Sequence, residues 1–337
     1  EGRSQEGAGE DDGHDEGRSQ EGSGEGDGRR EARSEKDRSN EARGKAACGE
    51  EARFEEGTGE EEGSSEEEGC GEEEGGVGLM RIVTWNVNSL RARQERVEAW
   101  IQEAEPDVLL LQETKLADDA FPTLAFEALG YSCAHHGQGQ WNGVAILSKV
   151  GLDDVVSNFA GDGDPDPEAR IITATCGGVR VSSVYVPNGR SLDDDHYTYK
   201  LWWLGRLIEH LDADTSPDQQ VVVGGDFNIA PDDRDVHDPK VLVGATHGSQ
   251  AERDRLAELE AWGLTDVFRH FHDADGMYSW WDYRGGDFHQ GRGMRIDLLM
   301  CSPSVVDRAE WTVIDRNARK GKQPSDHTTV IVDLADA

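Results

Sequence analysis

The sequence predicts an α/β fold in which β-sheets pack together and carry helices on their outer sides, preceded by an acidic tail. Three observations predict it. From Met80 onward, short β-rich runs alternate with amphipathic helical stretches. These alternations fall into two series separated by a hairpin region, the pattern of sheets layered with helices. The composition also changes abruptly near residue 79, so the 337 residues do not divide into two similar domains.

Residues 1–79 contain 27 Asp and Glu against 10 Lys and Arg, and their apolar residues are a few alanines, Cys48, Phe54, Cys70, Val77 and Leu79. Such a stretch cannot bury enough apolar surface to offset its chain entropy, so 1–79 is expected to be a disordered acidic low-complexity tail. A decapeptide starting at Glu1 recurs at Glu16 with one change, without the apolar periodicity of a solenoid. Three readings of the tail stay open: a solvated extension, an acidic arm for a partner, or an upstream frame with Met80 as the native start. Residues 80–337 form one globular domain's worth of sequence.

Within that unit Met80–Val87 alternates as a strand. Ser89 is placed to cap a helix whose Leu90, Val97, Trp100 and Ile101 share a face and which Pro106 ends. Asp107–Gln112 is a continuous apolar run, the mark of a strand covered on both faces. Asn142–Ser148, Ile171–Cys176 and Val179–Val186 read as further strands, the last two joined by Gly177-Gly178 as a hairpin. Tyr197, Leu201, Leu204, Ile208 and Leu211 define a helix, with Trp202 and Trp203 expected in the core. Gln220–Gly225 is another buried strand, Leu256, Leu259 and Trp262 mark a helix closed by Gly263, and Arg295–Met300, Trp311–Ile314 and Thr328–Val332 complete the set. No run approaches the roughly 20 apolar residues of a membrane span, and the start lacks the order of a signal peptide. Five cysteines without a C-x-x-C pair read as reduced thiols in a cytoplasmic protein, neither a disulfide frame nor a zinc site; a monomer is expected.

Chemistry is signalled by what stands at the strand ends. Asn86 and Asn88, Glu113, Tyr185 and Asn188, Asp226 and Asn228, Asp297, and Asp326 with His327 all follow or open an apolar run. Singly, such residues serve as turn formers and caps. Acids set against buried strands, however, require a counter-charge. Glu113, Asp226, Asp297 and Asp326 would supply up to four carboxylates and no thiolate, which favours Mg²⁺ or Mn²⁺ over zinc. A histidine beside such a cluster suits phosphate-ester hydrolysis, where cationic groups stabilise charge on the phosphoryl oxygens.

The blocks Thr84–Arg93, Pro106–Lys115, Val184–Gly189, Gly225–Pro231, Ser279–Arg284, Gly293–Met300 and Pro324–His327 resemble, in order and spacing, the exonuclease III family of apurinic/apyrimidinic endonucleases. That family lies within the endonuclease/exonuclease/phosphatase superfamily. The resemblance spans about residues 80–335 and leaves the tail without a counterpart. It implies a DNase I-like four-layer α/β sandwich of two mixed sheets flanked by helices. It also implies a Mg²⁺-dependent DNA-repair phosphodiesterase (Mn²⁺ as the alternative) that cuts 5′ to abasic sites, with 3′→5′ exonuclease and 3′-phosphatase activity. By that resemblance the catalytic residues are Tyr185, Asp226, Asn228, Asp297 and His327. The metal set is Asn86, Glu113, Asp226, Asn228, Asp326 and His327, and the DNA-contacting set is Lys115, Arg170, Asn188, Trp280 and Met294. The implied partner is double-stranded DNA with abasic or 3′-blocked sites. Asn88 stands where some members carry Asp, which weakens the local pull on a cation. Two rivals remain: a nonspecific nuclease or phosphoesterase of the same superfamily, and a non-catalytic DNA-binding protein.

Residues 80–337 carry 43 acids, 31 of them Asp, against 24 bases of which six are Lys. DNA must therefore meet local bases; Arg91, Arg93, Arg190, Arg284, Arg292 and Arg295 lie beside the motifs. A surface rich in Asp and poor in Lys also suits concentrated salt, the alternative being codon bias of a GC-rich genome. The salt reading predicts loss of structure at low ionic strength, regained when salt is added. Circular dichroism across a salt titration checks it, and full stability in dilute buffer would remove it.

Overall fold

The computed structural model describes residues 78–336, so 1–77 of the expected tail lie outside the described residues, and Leu79, counted with the tail, already belongs to the first strand. Twelve strands form two six-stranded sheets. The first contains β1 (Leu79–Asn86), β2 (Val108–Gln112), β3 (Ser132–His136), β4 (Val144–Ser148), β11 (Ala309–Asp315) and β12 (Thr329–Ala335), in the order β11-β12-β1-β2-β4-β3. The second contains β5 (Asp153–Ser157), β6 (Ile171–Cys176), β7 (Val179–Tyr185), β8 (Val221–Asp226), β9 (Thr265–Asp266) and β10 (Asp297–Cys301), in the order β5-β6-β7-β8-β10-β9. Each sheet is built around one parallel pair, β1 with β2 and β7 with β8, and the remaining pairings are antiparallel. This is the expected DNase I-like sandwich.

Strand alternation sorts the core into layers. Ile82, Val108, Leu110 and Ile146 point inward against Val181, Val222 and Leu299 of the other sheet. Val83, Trp85, Leu109 and Leu147 point outward onto helix α1 (Leu90–Ala104) through Leu90, Val97 and Ile101. On the far side Val184, Val223 and Leu298 meet α3 (Asp195–Asp214) and α4 (Gln250–Trp262), which follow the short α2 (Thr123–Glu127). The continuous apolar run of β2 is buried throughout, as a strand covered on both faces must be.

Several expectations are corrected. Ser89 makes no side-chain cap; its φ is 84°, and its N–H instead donates to the Glu113 carbonyl at 2.7 Å, tying the start of α1 to the loop after β2. The buried face of α3 is Lys200, Trp203, Leu204, Leu207, His210 and Leu211, whereas Trp202 is 43% exposed. Strand β10 starts at Asp297, because Arg295 and Ile296 hydrogen-bond outside the ladder to Asp235 and Ser279. Strands β3, β5 and β9 carried no readable signal: each is a sheet edge, short, and too little buried to show an apolar alternation. Cys133, Cys176 and Cys301 carry free thiols. No helix among the described residues is long and apolar enough to cross a membrane.

Candidate active site

The two parallel pairs bring their ends to one side of the sandwich. Asn86 is in register with Gln112, so Glu113 follows beside it; Tyr185 pairs with Asp226, and Asp226 pairs with Asp297. Close packing of β8 demands Gly224 and Gly225 immediately before Asp226. A Cβ on Gly224 would come within 2.6 Å of Leu110 Cδ1, and one on Gly225 would overlap the carbonyl of Val184. His327 arrives two residues before β12, where it bridges to Trp280.

Oxygen and nitrogen atoms of Glu113, Asp226 and His327 lie within 4.8 Å of one another. The amide of Asn86 spans the two carboxylates, donating from Nδ2 to Glu113 Oε1 at 2.8 Å and to Asp226 Oδ2 at 2.9 Å. Asp226 also accepts the N–H of Asn228 at 2.9 Å and its Nδ2 at 3.2 Å. Behind the histidine, Asp297 Oδ2 lies 2.9 Å from His327 Nδ1 and accepts the Ser279 hydroxyl at 2.6 Å. That leaves His327 Nε2 facing Asp226 Oδ2 across 3.7 Å.

Asp326 is one step removed. Its Oδ1 accepts from Asn88 Nδ2 at 2.9 Å and its Oδ2 from Trp280 Nε1 at 3.3 Å. Asn88 Oδ1 in turn accepts from Lys115 Nζ at 2.6 Å, which is 2.8 Å from Glu113 Oε2. Lys115 is thus engaged with the carboxylates. Arg170 is 6% exposed; its guanidinium lies 4.7 Å over the Tyr185 ring and bonds to Glu168 and the Tyr185 carbonyl. It supports Tyr185 from below and does not present a charge to solvent. Asn188 Nδ2 donates to Asn228 Oδ1 at 3.1 Å. Met294 is 8% exposed, packed with Ala230, Val236 and Ile296 beneath the half-buried Trp280. Arg295, counted among the local bases, is 0% exposed and ion-paired with Asp235 and Asp266, so it cannot meet a phosphate. Residues the strand-end signal missed are Ser279 under Asp297 and His247 beside Asn228. Ser279 sat within the Ser279–Arg284 block, whereas nothing in the local sequence marks His247.

The charges are tuned by proximity. Burial first, then Asp297 and Glu113, push the Asp226 carboxyl up to about 7 against the pull of His327. Burial opposes charge on His327, but Asp297 and Asp226 outweigh it and raise the imidazole to about 10. Burial and the negative charge of Glu113 hold the Tyr185 phenol well above its ordinary range, so it stays a neutral donor. The donor set fits a hard divalent cation: clustered carboxylate oxygens with no thiolate, at the end of a buried sheet.

The sequence profile of the Endonuclease/Exonuclease/phosphatase family matches residues 83–327. Exodeoxyribonuclease III of Haemophilus influenzae is 33% identical over 263 residues, covering 74% of this chain and 98% of that protein. Among solved structures, an AP endonuclease from Archaeoglobus fulgidus superposes with a TM-score of 0.73 at 34% identity, covering 77% of this chain and all of that one. The Neisseria 3′ phosphatase NExo bound to a product DNA hairpin gives 0.73 at 38% identity, covering 76% of this chain and all of that one. Fold, strand-end site and sequence agree, and the chain belongs to the endonuclease/exonuclease/phosphatase family, in its exonuclease III branch.

Proposed function

We propose that this chain is a Mg²⁺-dependent DNA-repair hydrolase that cuts the backbone of double-stranded DNA 5′ to an abasic site, leaving a 3′-hydroxyl. The same phosphate site would serve 3′→5′ exonuclease and 3′-phosphatase reactions. The observation that carries the reading is the Asp297–His327–Asp226 line beside Glu113. Asp297 fixes the imidazole by Nδ1, so Nε2–H points into the cleft toward a phosphate oxygen. Asp226, with a carboxyl poised near neutrality, orients the attacking water and accepts its proton. Asn228 and Asn188 stand beside Asp226, where they would help hold the reacting phosphate, with the neutral Tyr185 phenol next to it. Glu113, with Asn86, Asp226 and Asp326 near it, would hold the cation, which supplies neutralisation of charge on the phosphate oxygens.

Trp280, half-buried above Met294, offers an apolar wall for an extruded abasic sugar. Lys115 and Asn188 stand at the cleft edge for DNA, and the reading takes the protein as a cytoplasmic monomer. Arg170 contributes through Tyr185. The test is the full chain with Mg²⁺ on a 5′-labelled duplex carrying one abasic analogue, over a range of salt. A single cut 5′ to the lesion, absent from intact duplex, is expected. Equal cutting of intact duplex would make it a nonspecific nuclease, and tight binding without turnover a binding protein; either result overturns the proposal.

A further inference from the structure

Behind Asn188 and Asn228 lies a buried polar cluster with no part in the reaction described so far. Lys200 of α3 is fully buried, and its ammonium meets Asn228 O at 2.7 Å, Asn188 O and Thr246 Oγ1 at 3.4 Å, and Glu252 Oε1. Glu252 of α4, also 0% exposed, further accepts the Thr246 hydroxyl and the backbone N–H groups of His247 and Ser249. A buried ion pair persists only where its remaining donors and acceptors are also satisfied. This pair is, and what it grips is the backbone of Asn188, Asn228 and the loop carrying His247. Asn228 and His247 both have left-handed backbones, φ 52° and 76°.

His247 engages these segments with both ring nitrogens, one on backbone and one on a side-chain amide. Nδ1 is 2.6 Å from Asn228 O, and Nε2 is 3.4 Å from Asn188 Nδ2. A carbonyl oxygen only accepts, so Nδ1 carries the proton; in the neutral ring Nε2 is then left as an acceptor for the amide. Asn188 Nδ2 is fixed as a donor by Asn228 Oδ1 at 3.1 Å, so the Nε2 that faces it accepts and the ring is neutral. The orientation passes along. Asn188 turns Nδ2 to the ring and to Asn228 Oδ1, and Asn228 then aims its own Nδ2 at Asp226 Oδ2 and Val186 O.

We propose that His247 is a positioning residue: seated by the Lys200–Glu252 pair as its Nδ1–H tautomer, it sets the amide of Asn188 and, through it, that of Asn228 against Asp226. The proposal rests on the reading that these amides face the reacting phosphate. Two experiments on the full chain keep the two readings apart. Long-range ¹H–¹⁵N correlation on ¹⁵N-histidine protein, with His247 assigned by its loss in His247→Phe, should show protonated Nδ1 and bare Nε2. A bare Nδ1 or a doubly protonated ring overturns the proposal, and this measurement needs no turnover. Kinetically, His247→Phe should lower kcat by about 10- to 100-fold with KM little changed, the usual scale for a residue supporting one that touches substrate. In an Asn188→Ala background the same substitution should cost less than about threefold, because the coupled pair no longer exists. Fully additive losses overturn the proposal. Should wild-type protein cut no abasic, nicked or 3′-phosphate duplex, the nuclease reading fails and the tautomer alone decides this one.

Discussion

Asp226→Asn should cut turnover by about 10³-fold or more, and in metal-free protein it should also remove a pH-dependent loss of stability. The first effect follows from losing the only buried carboxylate that faces the imidazole Nε2 of His327 among the described residues. The second follows from the same burial that tunes it. With its carboxyl raised to about 7, the folded protein keeps a proton that the unfolded chain releases near its ordinary value. Stability from this group is therefore fully present at acid pH and is lost as pH rises toward 7. Between pH 5 and 8 wild type should fall by roughly a few kcal/mol relative to the variant. At pH 5 the variant should be the less stable of the two, since its new NH₂ confronts the amide donors of Asn86 and Asn228. Urea unfolding in EDTA at both pH values checks the sign, and parallel behaviour of the two proteins would refute it. Mg²⁺ added at pH 8 should stabilise wild type more than the variant, because a bound cation relieves the crowding of Asp226, Asp297 and Glu113.

What could be read from the sequence was what burial makes periodic. Asp107–Gln112 and Gln220–Gly225 are apolar because both faces are covered, so the acids that end them, Glu113 and Asp226, stood out against that background. The same logic located Asn86, Asp297 and His327, which the register then gathers at one end of the sandwich. Edge strands such as β3 and β5 lacked that background, one face being open to water. Lys200 was invisible for a different reason. It interrupts the apolar face of α3, and its partner Glu252 lies 52 residues away on another helix, so only the folded chain shows why a charge belongs there. His247 depends on the backbone of Asn228, 19 residues upstream, and no pattern in the chain encodes such a contact. Arg295 shows the converse. A basic residue beside a catalytic motif reads as a phosphate contact, yet this one is fully buried in ion pairs with Asp235 and Asp266.

Arg295→Met should destabilise the protein by about 3–5 kcal/mol, the cost of stranding buried charge, while leaving the salt dependence of DNA binding unchanged. The guanidinium holds Asp235 by Nε at 2.7 Å and Nη2 at 3.1 Å, and Asp266 by Nη1 at 2.7 Å, with Phe268 5.4 Å beneath it. Burial would raise the Asp235 carboxyl, but Arg295 and Arg269 outweigh it and hold it below its ordinary value. Without Arg295, among the described residues Asp235 keeps only Arg269 and Asp266 keeps no side-chain cation within ion-pair distance. The double change Arg295→Met with Asp266→Asn should restore part of the loss, since the carboxylate left without a cation becomes neutral while Asp235 keeps Arg269. Thermal or urea unfolding of the three proteins checks the energies. DNA affinity measured against salt checks the assignment, because a true phosphate contact would reduce the slope of log affinity against log salt by about 0.9 when removed. A reduced slope with unaltered stability would return Arg295 to the DNA surface. An unchanged slope with a lower unfolding midpoint would fix it as the core cation that seats Met294 and Ile296 beneath Trp280, where its neighbours in the chain already lie.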